Sequence, residues 1–347
     1  MRCRCTVWKV LCGIALLLPG VSFADESGDL LSAMASSLKS RHYSGLVTYG
    51  YGDQWHSAKI QQGPANQEMS LRIDYLTGES RSQIRRGDEV VCIHQGVHLP
   101  GMTPDILKPF NSYFPVHSDT FEQHYRVQRA ERLDQRIAGR DSAALRITPT
   151  TPDRYGYRLW LDSETALPLK ADILNSNNDV LQRFQFAAID VSAAPAPERF
   201  QQGQTGHTVQ LHRHLTDSEQ IRALESEWYP DWLPLGFTLQ RYSQSRDAQV
   251  SVKSERMKFS DGLASFTFFV DAVSEQHSGN LSARMSRQWG PVSATVEDVV
   301  HSDGKLRLTV VGELPPATLE RILLSALPDQ SPAMTESLGT RPILSQR

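Results

Sequence analysis

Two groupings of residues in this chain have the types and spacing of reactive chemistry. Ser36-Ser37-Leu38-Lys39 matches the S-x-x-K pattern that sets a lysine beside a serine nucleophile, and Ser260-Asp261-Gly262 loosely echoes the second motif of such enzymes. No K-T-G follows, and Ser36 precedes every segment with strand periodicity. A single short motif has a high false-positive rate, so the serine is read as structural. Among the histidines, His94 with His98 and His212 with His214 stand closest together. On a strand, residues two apart share a face, so His212 and His214 could both ligate a metal. A third ligand at zinc-site spacing is missing, which favours scattered surface histidines. No G-x-S-x-G elbow, H-E-x-x-H helix or Walker loop occurs. The chain is therefore expected to have no catalytic residue, no metal site and no cofactor.

Binding chemistry offers more. Arg126, Arg129, Arg132 and Arg136 would share one side of a helix, and Arg85-Arg86 form a second basic spot. Such groups can meet phosphates. Glu131 and Asp134 interleave with the first set, so a solvated face is the plainer reading. Tyr155, Tyr157, Trp160, Phe184 and Phe186 read first as core, although aromatics inside a curved sheet can also line a cavity for acyl chains.

The elements that must position these groups follow from composition and periodicity. The 347 residues are 39% hydrophobic with 22 glycines, which excludes a disordered chain, a collagen-like repeat and a polytopic membrane protein. A formal charge of −3 argues against general nucleic-acid binding. Arg2, Arg4 and Lys9 precede a short apolar run, Val10 to Leu18, and Ser22-Phe23-Ala24 offers small residues at an export cleavage site. Residues 1–24 are thus expected to be a signal peptide cleaved after Ala24. The remaining 323 residues carry 33 basic and 39 acidic side chains, a net of −6, and one cysteine, Cys92. That thiol cannot form an intramolecular disulfide, and its Val-Val-Cys-Ile setting predicts a buried strand.

Leu30, Leu31, Met34, Ala35 and Leu38 predict an amphipathic helix over 25–41. From Gly45 the period falls to two, with Met69, Leu71, Ile73 and Tyr75 alternating against Ser70, Arg72 and Asp74. Comparable runs at 46–51, 55–61, 89–93, 144–148, 157–161, 167–174 and 180–189 predict a large curved antiparallel sheet with the helix across its concave face. The proline- and glutamine-rich stretch 193–206 reads as a linker between 25–192 and a smaller unit, 207–327. There, a short helix is expected near 218–224. Phe266, Phe268 and Val270 alternate, strands follow at 292–300 and 306–311, and Pro315-Pro316 opens a helix striped by Leu319, Ile322 and Leu323. Residues 328–347 read as a disordered tail.

Four segments, in order, carry a family likeness. Arg158-Leu-Trp-Leu-Asp-Ser-Glu-Thr-Ala-Leu-Pro-Leu-Lys170, Pro230-Asp-Trp-Leu-Pro-Leu-Gly-Phe237, Phe259-Ser-Asp-Gly-Leu263 and Val310-Val-Gly-Glu-Leu-Pro-Pro316 resemble the RseB/MucB family of periplasmic envelope-stress regulators. The resemblance implies an α+β fold: an unclosed antiparallel β-barrel like the lipoprotein carriers LolA and LolB, covered by helices, followed by a smaller α/β C-terminal domain. It implies binding to the periplasmic region of an RseA- or MucA-type anti-sigma factor, protection of that partner from the site-1 protease DegS or a relative, and release by lipopolysaccharide or lipid. Homo-oligomerisation is left open, and a plain periplasmic carrier of lipids or lipoproteins is the alternative. Partner contacts are expected at Trp232, Leu233, Pro234, Gly236, Phe237, Ser260, Asp261 and Gly262, although these Pro-Leu-Gly and Ser-Asp-Gly stretches are also good turn formers. Lipid contacts are expected at Tyr157, Trp160, Phe184, Phe186, Arg85 and Arg86.

Overall fold

The computed structural model describes residues 23–65, 68–87, 89–94, 119–201, 207–210, 215–246, 253–273, 284–301 and 304–327. The expected leader up to residue 22, the tail 328–347, and His98, His212 and His214 lie outside them, as do the side chains of Cys92 and His94. The first helix, α1 (Phe23–Ser40), leads into a meander of β1 (Tyr43–Tyr51), β2 (Gln54–Ala65), β3 (Glu68–Tyr75), β4 (Arg81–Arg86) and β5 (Glu89–His94). After α2 (Asp119–His124) come β6 (Tyr125–Arg129), β7 (Gln135–Ile137), β8 (Arg140–Pro149), β9 (Gly156–Asp162), β10 (Pro168–Leu174) and β11 (Val180–Asp190). With β12 (His207–Gln210) these strands form one antiparallel sheet, in the order β12-β5-β4-β3-β2-β1-β11-β10-β9-β8-β6, with β7 on β8. Among the described residues the two ends of that order are not paired with each other, so the barrel is unclosed.

The sheet curls because both of its halves must reach one helix. Leu31, Met34 and Leu38 of α1 are buried in a core shared with Val47, Ile60, Ile73, Leu159 and Phe184. Gln62 of β2 donates to the carbonyls of Leu38 and Arg41 at 2.7 and 2.8 Å, while Ser37 donates to the Thr165 carbonyl beyond β9. Four strand steps separate β2 from β9, about 19 Å along a flat sheet, whereas a helix with its side chains is about 10–12 Å across. Only a curved sheet brings both to α1. Ser36 and Lys39 lie on the exposed side of the helix.

The second sheet is built from β13 (Thr238–Arg246), β14 (Lys253–Ser260), β15 (Ser265–Ala272), β16 (Met285–Trp289), β17 (Val292–His301) and β18 (Gly304–Gly312), ordered β13-β14-β15-β18-β17-β16. Phe266, Phe268 and Val270 are buried as their alternation predicts, together with Leu319, Ile322 and Leu323 of α4 (Pro316–Ser325). The short helix α3 (Asp217–Leu224) starts at a capping box formed by Thr216 and Glu219, so its first amides are satisfied.

Three details differ from the sequence reading. Residues 125–137 form β6, a 3-10 turn at Glu131–Leu133 and β7 rather than a helix, so Arg126, Arg129, Arg132 and Arg136 present no common helical face. Arg129 instead pairs with Asp134 at 2.6 Å. Within 193–206, Pro197–Phe200 forms a packed 3-10 turn with Phe200 buried, held by Arg72 donating to the Arg199 carbonyl and Arg86 to the Phe200 carbonyl. Finally, β12 at 207–210 pairs with β5 of the first sheet.

Candidate functional site

The expected partner residues divide on folding. Trp232 is half-buried beneath α4, with the Arg321 guanidinium 3.7 Å from its ring centroid and its carbonyl accepting from Ser325 at 3.3 Å. Leu233 packs against the second core, and Pro234 is buried. Pro234 to Phe237 is a tight turn closed by the Phe237 amide on the Pro234 carbonyl at 3.1 Å, with Gly236 at φ 87°. These residues shape the turn, and the side chain most exposed to solvent there is Leu235.

Phe237 and Asp261 instead meet the first sheet, while Ser260 and Gly262 shape the turn that carries Asp261. The β14–β15 connection is wound by its own side chains. Asp261 Oδ1 accepts from the Leu263 and Ala264 amides at 2.9 and 2.7 Å, and Ser260 Oγ accepts from the Gly262 amide at 3.0 Å. Gly262 sits at φ 94°, a left-handed conformation that L side chains resist. The turn projects Leu263 into the core of the first sheet.

The other oxygen of Asp261 crosses the seam. It accepts from Arg154 Nε at 2.8 Å and from the Tyr125 hydroxyl at 2.8 Å. Arg154 arises in the β8–β9 loop, and its side chain is 0% exposed, that of Asp261 1%. The same guanidinium donates to the Leu235 carbonyl and to Thr151 Oγ1, and stands 5.0 Å from the centre of the Phe237 ring. The buried carboxylate thus receives four donors, two from its own turn and two from the first sheet. Buried charges persist on these terms, since desolvation is offset only when partners saturate both groups.

Neighbouring groups register the low-dielectric surroundings. Burial, and then the Asp261 charge, push the Tyr125 phenol well above its ordinary value. Burial likewise raises Tyr157, aided by Glu313 and Asp261. Burial and the Arg154 charge pull the His124 imidazole down, with Asp261 opposing them. Further contacts lie along the seam. The Tyr155 hydroxyl donates to the Leu314 carbonyl and accepts from Gln288, both at 3.1 Å. Gly290, at φ 58°, lies so close that a Cβ would stand 2.7 Å from Tyr51 Cβ. The bonds described at the seam form a latch between two sheets.

The four aromatic residues of the expected lipid set are buried. Tyr157, Trp160, Phe184 and Phe186 are between 1% and 4% exposed. Register sets Tyr157, Phe184 and Phe186 on the α1 side of the sheet and Trp160 on the opposite side, where its indole donates to the Leu133 carbonyl at 2.7 Å. Arg85 and Arg86 also point to opposite faces, being adjacent on β4: Arg85 donates to the Gly87 carbonyl and Arg86 to that of Phe200. Six residues expected as one set are therefore distributed over two faces. Arg154, the key to the seam, is absent from the residues that the sequence points to, because a lone arginine in a Pro-Asp-Arg-Tyr-Gly loop carries no periodic signal. Among the described residues, no group of histidine, cysteine and carboxylate side chains could hold a metal ion, and no helix is long and apolar enough to cross a membrane.

Comparison with known proteins matches both parts of the chain. The profile of the MucB/RseB N-terminal domain matches residues 26–204, and that of the MucB/RseB C-terminal domain residues 222–326. The sigma factor AlgU regulatory protein MucB of Pseudomonas aeruginosa is 29% identical, over 94% of this chain and 98% of that protein. The sigma-E factor regulatory protein RseB of Haemophilus influenzae is 30% identical, over 89% of this chain and 94% of that protein. Among solved structures, the Pseudomonas aeruginosa MucA/MucB complex includes a chain that superposes with a TM-score of 0.68 at 26% identity, covering 86% of this chain and 98% of that one. A structure of MucB superposes at 0.63 with 26% identity, covering 87% and 97%.

Proposed function

Because the chain belongs to the MucB/RseB family, we propose that it is a periplasmic regulatory protein that binds the periplasmic region of a membrane anti-sigma factor. The observation that carries this reading is similarity through both parts of the chain, in one order, to proteins named as sigma-factor regulators, one of them solved together with MucA. The finer parts of the proposal are export by residues 1–24, protection of the bound partner from site-1 proteolysis, and release when lipid or lipopolysaccharide binds. A ligand can release a partner only if it binds the two states differently, typically by about 1–3 kcal/mol of coupling. The saturated latch at the seam is the element that could have two such states. Lipid entry among Tyr157, Phe184 and Phe186 requires α1 to move, since these rings share its buried core.

The test is direct binding of the purified mature chain to the periplasmic region of the anti-sigma factor from the same organism. Saturable binding is expected, with slower site-1 cleavage of the bound partner and weaker binding on addition of lipopolysaccharide. Absence of binding refutes the regulatory reading. Binding that is unaffected by lipopolysaccharide removes only the lipid-release part.

A further inference from the structure

On the face of the first sheet opposite α1, register assembles a row of charge. Arg146 of β8 lies opposite Arg158 of β9, Arg158 opposite Asp172 of β10, and Asp172 opposite Arg183 of β11. Arg183 lies opposite Gly50 of β1, and Gly50 opposite Trp55 of β2. Lys170 occupies the next row on the same face, its ammonium 4.2 Å from the centre of the Trp160 ring.

This row is under-neutralised. Among the described residues of the row, Asp172 is the one carboxylate against three arginines, and it already accepts from Arg183 at 2.6 and 2.9 Å and from Arg158 at 3.1 Å. Among the described residues, Arg146 has one long hydrogen bond, 3.4 Å to Asn178 Oδ1. Arg158 Nε is buried with no hydrogen-bond partner among the described residues. The arginines reach solvent, with side-chain exposures of 19% for Arg158 and 35% for Arg183. At the end of the row Trp55 is 54% exposed. Its ring lies over Gly50, since a Cβ there would stand 2.9 Å from Trp55 Cδ2. A chain with a formal charge of −3 thus carries a local line of positive charge ending in an aromatic platform.

We propose that this row is a docking surface for an acidic, extended polypeptide segment, whose carboxylates Arg146, Arg158 and Arg183 accept and whose apolar side chain rests on Trp55. The dimensions fit: five strand spacings from Arg146 to Trp55 span about 24 Å, the reach of about seven extended residues. Guanidinium groups suit carboxylates through paired N–H donors, and a single line of them matches a chain better than a surface. The segment comes from another molecule. The stretch 328–347 has only Asp329 and Glu336 against Arg341 and Arg347, and 95–118 has only Asp105 against Lys108. The inference does not depend on the partner proposed above.

The test uses the full mature chain and a fluorescent peptide of about twelve residues, the reach of the row with a margin, with glutamates at alternate positions and a terminal phenylalanine. Fluorescence anisotropy should show saturable binding that weakens as salt rises through about 0.15 M. The double variant Arg146→Glu/Arg183→Glu should weaken binding by about tenfold or more, and Trp55→Ala by about threefold. Arg132→Glu/Arg136→Glu, at exposed arginines of the 3-10 turn and of β7, should stay within about twofold of the parent. If charge reversal unfolds the sheet, Arg146→Gln/Arg183→Gln serves with the same expectation. No saturable binding by the parent chain, or equal loss in the Arg132/Arg136 control, overturns the proposal. So does peptide indifference combined with row-dependent binding to phosphatidylglycerol vesicles, which would make the row a lipid-headgroup face.

Discussion

Asp261 and Asp172 are both buried beside arginine partners, in opposite surroundings. Asp261 takes four hydrogen bonds, and both it and Arg154 are sealed from water. Asp172 is as deeply buried, yet its two arginines extend to solvent and outnumber it. Within a low dielectric a charge pair must be complete, so the Asp261 network has nothing left to offer a ligand. At the solvent edge of a sheet, surplus positive charge is tolerated because water still reaches the guanidinium groups. The first arrangement holds two sheets together; the second keeps charge available for a ligand.

The comparison breaks first, and with the largest effect, at Arg154. Arg154→Ala leaves Asp261 buried without its counterion and should cost about 3–5 kcal/mol, read by chemical denaturation. The loss should appear as separation of the two sheets into distinct transitions, because Leu263 and the Tyr155–Leu314 contact lose their registration with the first sheet. Replacing the pair together, Arg154→Met with Asp261→Leu, should recover much of that loss, since no unpaired charge then remains. If Arg154→Ala costs no more than Arg183→Ala, the contrast between sealed and open pairs is wrong.

Asp172→Asn should have the middle effect, about 1–3 kcal/mol, because the arginines it leaves behind can turn to water. The same change should strengthen binding of an acidic peptide to the row by removing its only carboxylate. Weaker peptide binding with unchanged folding would mean that Asp172 positions Arg158 and Arg183 rather than competing for them.

Legibility in the sequence followed periodicity. The α1 stripe, the β3 and β15 alternations and the Leu319–Ile322–Leu323 face of α4 could all be read because one buried side imposes a regular spacing. Strands β4 (Arg-Ser-Gln-Ile-Arg-Arg) and β14 (Lys-Ser-Glu-Arg-Met-Lys-Phe-Ser) could not, since neighbouring strands on both sides let a polar sequence stay in the ladder. The basic stretch 126–136 suggested a helix by its i, i+3, i+4 arginines, whereas pairing with β8 made strands of it. Ser260-Asp261-Gly262 was visible as a turn, but not as half of a latch. Its partner Arg154 is 107 residues away, and neither element's pattern encodes where the two sheets touch. The row of arginines had the same fate: three strands each contribute one cation, and only register aligns them.

The smallest effect concerns acid. His124 is buried beside Arg154, and burial and that charge lower its folded-state pKa below the unfolded value, with Asp261 pulling the other way. A histidine depressed in this way adds stability above its unfolded pKa, about 6.5, and that contribution is lost as pH falls through the folded value. Tyr125 and Tyr157, which share the Asp261 and Arg154 charges with it, are pushed up and stay neutral throughout this range. Stability of the seam should therefore decline between pH 7 and pH 5, and His124→Gln, which keeps a polar side chain but cannot titrate, should flatten that part of the profile. The Arg158–Asp172–Arg183 row has no histidine on its positions, so peptide binding there should be unchanged by His124→Gln across the same interval. A variant that flattens both profiles would join the two regions into one coupled unit, because protonation at the sealed pair would then be felt at the open one. A variant that flattens neither would place the acid response of the seam outside His124.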